Sequence, residues 1–189
     1  MSLHGVSKKK ITEAKKILIK GDNLKVMESL VDKYGFKKTI DLVYIDPPFS
    51  TNTIFRIGNN RTSTVSFSKK DKVAYEDKLQ GYDFLDFIRE RLILIKELMS
   101  DDASIYFHID YKIGHYIKVI MDDVFGFNNF RSDISRIKCN PKNFSRKGYG
   151  NIKDMILFYS KSKKMIWNDP KVKMSYEQIN RLFKKIDKK

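Results

Sequence analysis

Apolar residues along this chain recur with two different periods, and the alternation between the two predicts the fold. Met1 to Lys10 is basic, has no periodicity and reads as a disordered start. Ile17-Leu18-Ile19 is then a short apolar run, expected to be a strand, that ends at Gly21-Asp22-Asn23. Leu24, Met27, Val31 and Tyr34 follow at helical spacing, with Asp22 or Asn23 as the N-cap and Gly35 as the stop. Leu42-Val43-Tyr44-Ile45 is apolar at every position, the pattern of a central parallel strand buried on both faces.

From 46 to about 80 the pattern is lost, and Ser, Thr, Asn and Lys dominate an irregular stretch. A loop this long inside a compact domain is usually functional or mobile. Periodicity returns with Leu85, Ile88, Leu92, Ile95 and Met99, one face of a long helix. Ile105 to Ile109 reads as a strand. Ile113, Ile117, Ile120 and Val124 stripe a further helix that stops at Gly126. Ile134 to Ile137 and Met155 to Tyr159 are expected strands on either side of a basic loop at 138–153. Strands alternating with helices predict an α/β fold with a mostly parallel sheet and helices on both faces. Ligands of such sheets bind beyond the carboxyl ends of the strands, where Asp22, Asp46, His108 and Asp110 all fall.

Composition narrows the class. A chain of 189 residues suits one domain, placed at residues 11–189. No apolar run is long enough for a membrane span, and no signal-peptide core is present, so no membrane partner is expected. One cysteine, Cys139, leaves no intramolecular disulfide or cysteine-rich zinc site and fits a reducing cytoplasm. Lys and Arg number 38 against 23 Asp and Glu, a net charge of +15. A surface so basic most simply meets a polyanion, nucleic acid above all, although lysine-rich composition alone has the same effect.

The chemistry is concentrated in Asp46-Pro47-Pro48-Phe49, directly after the most apolar strand. Two prolines cannot continue a sheet or enter a helix, so the backbone there is stiff and its carbonyls keep fixed directions. An Asp carboxylate and the Pro47 carbonyl can both accept hydrogen bonds from an exocyclic amine whose lone pair is otherwise delocalised into a ring. Drawn toward a tetrahedral nitrogen, the amine can attack an electrophilic methyl in line. Positioning and electrostatics suffice, without a metal or a covalent intermediate. Phe49 offers an aromatic face for a base that has left the duplex stack. A bare strand-ending turn would look similar, but a [D/N/S]-P-P-[Y/F/W] string arises by chance in about one chain in two hundred of this length.

Asp46-Pro47-Pro48-Phe49 is similar to motif IV of amino-methyltransferases, and its flanks resemble the β-class of DNA adenine-N6 methyltransferases. The supporting blocks are Leu18 to Leu24, Arg89-Glu90-Arg91-Leu92, Ser104 to Asp110, Asn140 to Phe144 and Gly148 to Asp154. The resemblance runs from residue 15 to about 183. It implies a Rossmann-like fold in circularly permuted order, S-adenosylmethionine as cofactor and double-stranded DNA as partner. Catalytic residues are then Asp46, Pro47, Pro48 and Phe49, and cofactor contacts are Asp22 and Asp46. A restriction subunit and a second copy of the chain are further partners the resemblance implies. Family members bind S-adenosylmethionine through a Phe-x-Gly-x-Gly turn, which this sequence lacks. In the β-class that turn follows the target-recognition region. The expectation is therefore an N-terminal fragment, binding cofactor weakly or not at all and inactive alone. Alternatives are a cytosine-N4 methyltransferase, which more often carries Ser in place of Asp46, and an enzyme acting on RNA or a protein amide, which more often carries Asn. A non-catalytic remnant that binds DNA or dimerises is the reading from another class.

Other residues carry two readings each. Lys138, Lys142, Arg146 and Lys147, with Lys153, are interleaved with Phe144 and Tyr149, a pattern that suits phosphates and stacked bases but also a solvated loop. Arg56, Arg61, Lys69, Lys70 and Lys72 could belong to a lid. His108 is a proton relay or, preferably, a hydrogen-bonded strand end, and Asp110 the cap of the next helix. Gly114 to Val124 is preferably a core helix and otherwise a dimer face.

Overall fold

A computed structural model describes residues 16–47, 54–57, 72–76, 81–138, 147, 152–169 and 171–183. Helix α1 (Asn23–Asp32) starts at Asp22, whose carboxylate accepts from the Leu24 N–H at 2.9 Å, and the chain turns away at Gly35 with φ 70°. Strand β1 (Ile40–Ile45) follows, then the short strands β2 (Ile54–Ile57) and β3 (Lys72–Glu76), paired antiparallel with each other. The long helix α2 (Gly81–Leu98) runs straight into β4 (Met99–Ile109). Helix α3 (Gly114–Phe125), one 3-10 turn at Phe127–Asn129, and strands β5 (Phe130–Ile137) and β6 (Lys153–Ser160) complete the body. Helix α4 (Tyr176–Leu182) opens with a capping box between Ser175 and Gln178.

The main sheet has the order β1-β4-β6-β5. β1 is parallel to β4, while β6 is antiparallel to both β4 and β5. Three of the four strands therefore point the same way, and β6 alone is reversed between two of them. The α/β reading holds, with the sheet mixed at that one strand.

The pleat divides the sheet's side chains by parity. Val43, Ile45, Ile105, Phe107, Ile109, Met155, Leu157 and Tyr159 share one face and pack against Phe84, Ile88 and Leu92 of α2 and Ile117, Met121, Val124 and Phe125 of α3. Both of these helices lie on that single face, where sequence periodicity had put helices on both. Gly114 to Val124 is accordingly a core helix. It stops because Gly126 takes φ 94°, ψ 133°, outside the range comfortable for other residues. Among the described residues the opposite face carries Leu42 and Tyr44, both more than half exposed, beside a stack of Tyr106 on Phe158, with Trp167 stacked in turn on Phe158.

Three sequence expectations are corrected. Ile17-Leu18-Ile19 is not a strand: Leu18 is 98% exposed and the run pairs with no described neighbour. Apolar content without a cross-strand partner does not make a strand. β1 is an edge strand among the described residues and not a central one, which is why its apolar run stays half open. The irregular stretch after residue 46 contains the β2–β3 pair. Among the described residues no helix is long and apolar enough to cross a membrane.

Candidate active site

Parallel pairing of β1 with β4 builds the site. The register Leu42↔Ser104, Tyr44↔Tyr106, Ile45↔Phe107 brings Asp46, the first residue past β1, abreast of His108. Both lie on the face away from the helix-packed core, because each follows the even-numbered set of its strand. His108 Nδ1 lies 3.0 Å from Asp46 Oδ1. The imidazole is almost wholly buried, whereas the Asp46 side chain is 57% exposed and so available to a ligand.

Behind the ring stands a second carboxylate. Asp154, the second residue of β6, pairs with Arg136 of β5 and is only 2% exposed. Its Oδ2 is 3.5 Å from His108 Nε2 and 3.2 Å from Arg136 Nη1, and its Oδ1 is 2.5 Å from Lys138 Nζ. A carboxylate this buried is tolerable only when cations surround it. Arg136 and Lys138 supply that charge from the end of β5. Asp46, His108, Asp154, Arg136 and Lys138 thus form one continuous row across the sheet.

A second group gathers at the start of α1. Arg91, on α2, donates from Nε to Asn23 Oδ1 at 2.8 Å and from Nη1 to the Phe87 carbonyl at 2.9 Å. Its guanidinium lies 3.3 Å from the Phe87 ring centre, and Nη2 is 3.7 Å from Asp22 Oδ1. Burial lowers the Arg91 pKa from its ordinary value, and the charges of Asp22 and Glu90 oppose that shift. Between this group and Asp46 is a cavity of about 650 Å³, lined by Asn23, Phe87, Arg91 and β1 through Asp46 and Pro47. Its lining is mostly apolar, with Asn23, Arg91 and Asp46 as its polar residues, as in small-molecule sites.

Of the expected residues, Asp46 and Pro47 line this cavity and Asp22 stands beside it as the cap of α1. Pro48, Phe49, Cys139, Lys142 and Arg146, with Arg61, Lys69 and Lys70, lie outside the described residues. Lys147 is exposed, while the Lys138 ammonium is turned onto Asp154. Asp110 Oδ1 accepts from the Lys112 and Ile113 N–H groups at 3.0 and 3.3 Å, fixing the turn that leads into α3. Sequence reasoning missed Asp154, Arg136 and the role of Arg91. One signal was present: Asp154 directly precedes the apolar run Met155-Ile156-Leu157-Phe158, and a charge at the mouth of a buried strand needs a partner.

Residues 40–189 match a family model described as "DNA methylase" (N6_N4_Mtase). The chain is 37% identical over 152 residues to the type II methyltransferase M.EcaI of Enterobacter cloacae, covering 80% of this chain and 31% of that protein. It is 31% identical over 163 residues to the probable type III restriction-modification enzyme HindVI Mod subunit of Haemophilus influenzae, covering 84% of this chain and 19% of that subunit. The chain therefore spans less than a third of the length of either relative. In fold it is similar to the PvuII DNA methyltransferase, described as cytosine-N4-specific, with a TM-score of 0.50 at 17% identity over 77% of this chain and 49% of that one. The family model covers the site from β1 onward, and the chain belongs to this family of DNA methylases.

Proposed function

We propose that this chain carries the target-amine side of an S-adenosylmethionine-dependent DNA methyltransferase acting on adenine N6. The observation that carries the reading is the Asp46 carboxylate, exposed at the carboxyl end of β1, backed by His108 at 3.0 Å and followed by Pro47 at the cavity wall. In this reading Asp46 and the Pro47 carbonyl accept the two hydrogens of the flipped base's amino group, which frees the nitrogen lone pair. S-adenosylmethionine, when bound, supplies a methyl group on a sulfonium sulfur. As the new N–C bond forms, the methyl–sulfur bond would break and the cofactor would leave as a neutral thioether; the amine becomes cationic, and Asp46, open to solvent, takes its surplus proton and passes it on.

The residues present suit the cofactor. A cavity of about 650 Å³ is large enough for a molecule of this size, and its apolar wall of Val43, Ile45, Phe87 and Ile88 suits an adenine ring. Asp22, beside the cavity, and Asp46, in its wall, are acceptors for hydroxyl and ammonium groups. Double-stranded DNA is the proposed partner, with Lys142, Arg146 and Lys147 on its phosphates. The relationship to a Mod subunit supports a restriction subunit as a further partner.

The test is a methyl-transfer assay of the chain in its full reading frame, with labelled S-adenosylmethionine, double-stranded DNA and digestion to nucleosides. Label is expected in N6-methyladenine, and Asp46→Ala should abolish it while leaving DNA affinity within about threefold. Label in N4-methylcytosine would transfer the reading to the cytosine enzymes. Full activity of Asp46→Ala would sink the mechanism.

A further inference from the structure

We infer that His108 is a positioning residue, whose Nδ1–H fixes the orientation of the Asp46 carboxylate. The inference rests on Asp46 being the amine's acceptor.

Asp46 ends its strand with more than half of its side chain in water, and an aspartate so placed ordinarily samples several rotamers. A hydrogen-bond acceptor that must meet an amine at one angle gains nothing from that freedom, since a displacement of about 1 Å can cost about a hundredfold in rate. His108 removes it. The ring is 7% exposed and fixed to a core strand, and Nδ1 reaches one carboxylate oxygen at 3.0 Å. With Oδ1 occupied by this donor, Oδ2 remains directed toward the substrate. The ring's opposite nitrogen lies 3.5 Å from Asp154 Oδ2, and turning the ring over would carry Nδ1 away from Asp46. Arg136 and Lys138 hold the Asp154 carboxylate in place from the end of β5. The buried ring on β4 therefore fixes the exposed carboxylate just past the end of β1.

Two isosteres separate this role from a structural one. An asparagine amide nitrogen takes the place of His Nδ1, whereas a glutamine amide reaches the place of Nε2. His108→Asn should therefore retain kcat within about threefold, while His108→Gln should lower kcat by about ten- to a hundredfold with KM for DNA and for cofactor nearly unchanged. The imidazole nitrogen resonances of isotope-labelled histidine give a second readout, with the His108 signal identified by its absence in His108→Gln. That signal should shift in Asp46→Ala even where no turnover is measured. Equal kcat for wild type and His108→Gln, or a His108 signal indifferent to Asp46→Ala, would overturn the inference. If Asp46→Ala is itself fully active, the mechanism under it fails instead, and the two failures remain distinct.

Discussion

At the scale of single residues, the site depends on a carboxylate the reaction never touches. Asp154 is buried among Arg136, Lys138 and His108, and its removal leaves three groups that were arranged around a negative charge without one. Breaking a buried ion pair by deleting one partner costs about 3–5 kcal/mol. Because Arg136 and Lys138 are themselves partly exposed, Asp154→Ala should sit near the lower end, about 3 kcal/mol in chemical denaturation. Lys138→Ala should cost far less, since Arg136 still faces the carboxylate; an equal loss in both variants would contradict this arrangement. The place of Asp46 at the end of a strand was legible in the sequence, because two prolines after an apolar run end the ladder there. Its contact with His108 was not, because two residues 62 positions apart become neighbours only through the register of β1 on β4. Lys138 shows the complementary limit: its place in a basic loop says nothing of the acid from another strand that lies beside it.

At the scale of elements, helical periodicity was the reliable signal. Leu85 to Met99 and Ile113 to Val124 mark α2 and α3 to within a residue or a few, because each stripe is buried against one continuous surface. Strand periodicity was weaker: Ile17 to Ile19 has the composition of a strand but no ladder, and β2 and β3 were hidden in a polar stretch. Helix α1 buries little beyond Ser29 and is joined to α2 by Arg91, through Asn23 and Asp22. A hydrogen bond from a charged donor contributes about 1.5–3 kcal/mol. Arg91→Ala should therefore raise the amide exchange rates of α1 by at least about tenfold while those of β4 and β6 stay as they were. Uniform acceleration across all elements would show that Arg91 supports the whole core instead.

At the scale of the molecule, charge and sheet order matter most. A net charge of +15 makes any affinity for a polyanion strongly dependent on salt. DNA affinity should fall linearly in log–log form with salt. The combined charge reversal of Lys142, Arg146 and Lys147 should flatten that slope by about 2–3, or about 0.9 for each phosphate left without its cation. An unchanged slope would place the phosphates elsewhere. The fold class was readable from the alternation of strands and helices, while the reversed β6 was not, since no local pattern distinguishes a parallel from an antiparallel buried strand.

The edge position of β1 has a kinetic consequence. Asp46 is carried by a strand with one hydrogen-bonded neighbour among the described residues, so a single ladder, β1 on β4, decides whether the carboxylate meets its histidine. Each opening of that ladder withdraws the acceptor as a unit, and each closure restores it. Under the proposed mechanism, the fraction of molecules competent at any instant is a local unfolding equilibrium, and turnover would inherit its enthalpy as well as that of the chemical step. Whatever binds along the outer edge of β1 and holds the ladder shut would raise the rate without touching the substrate.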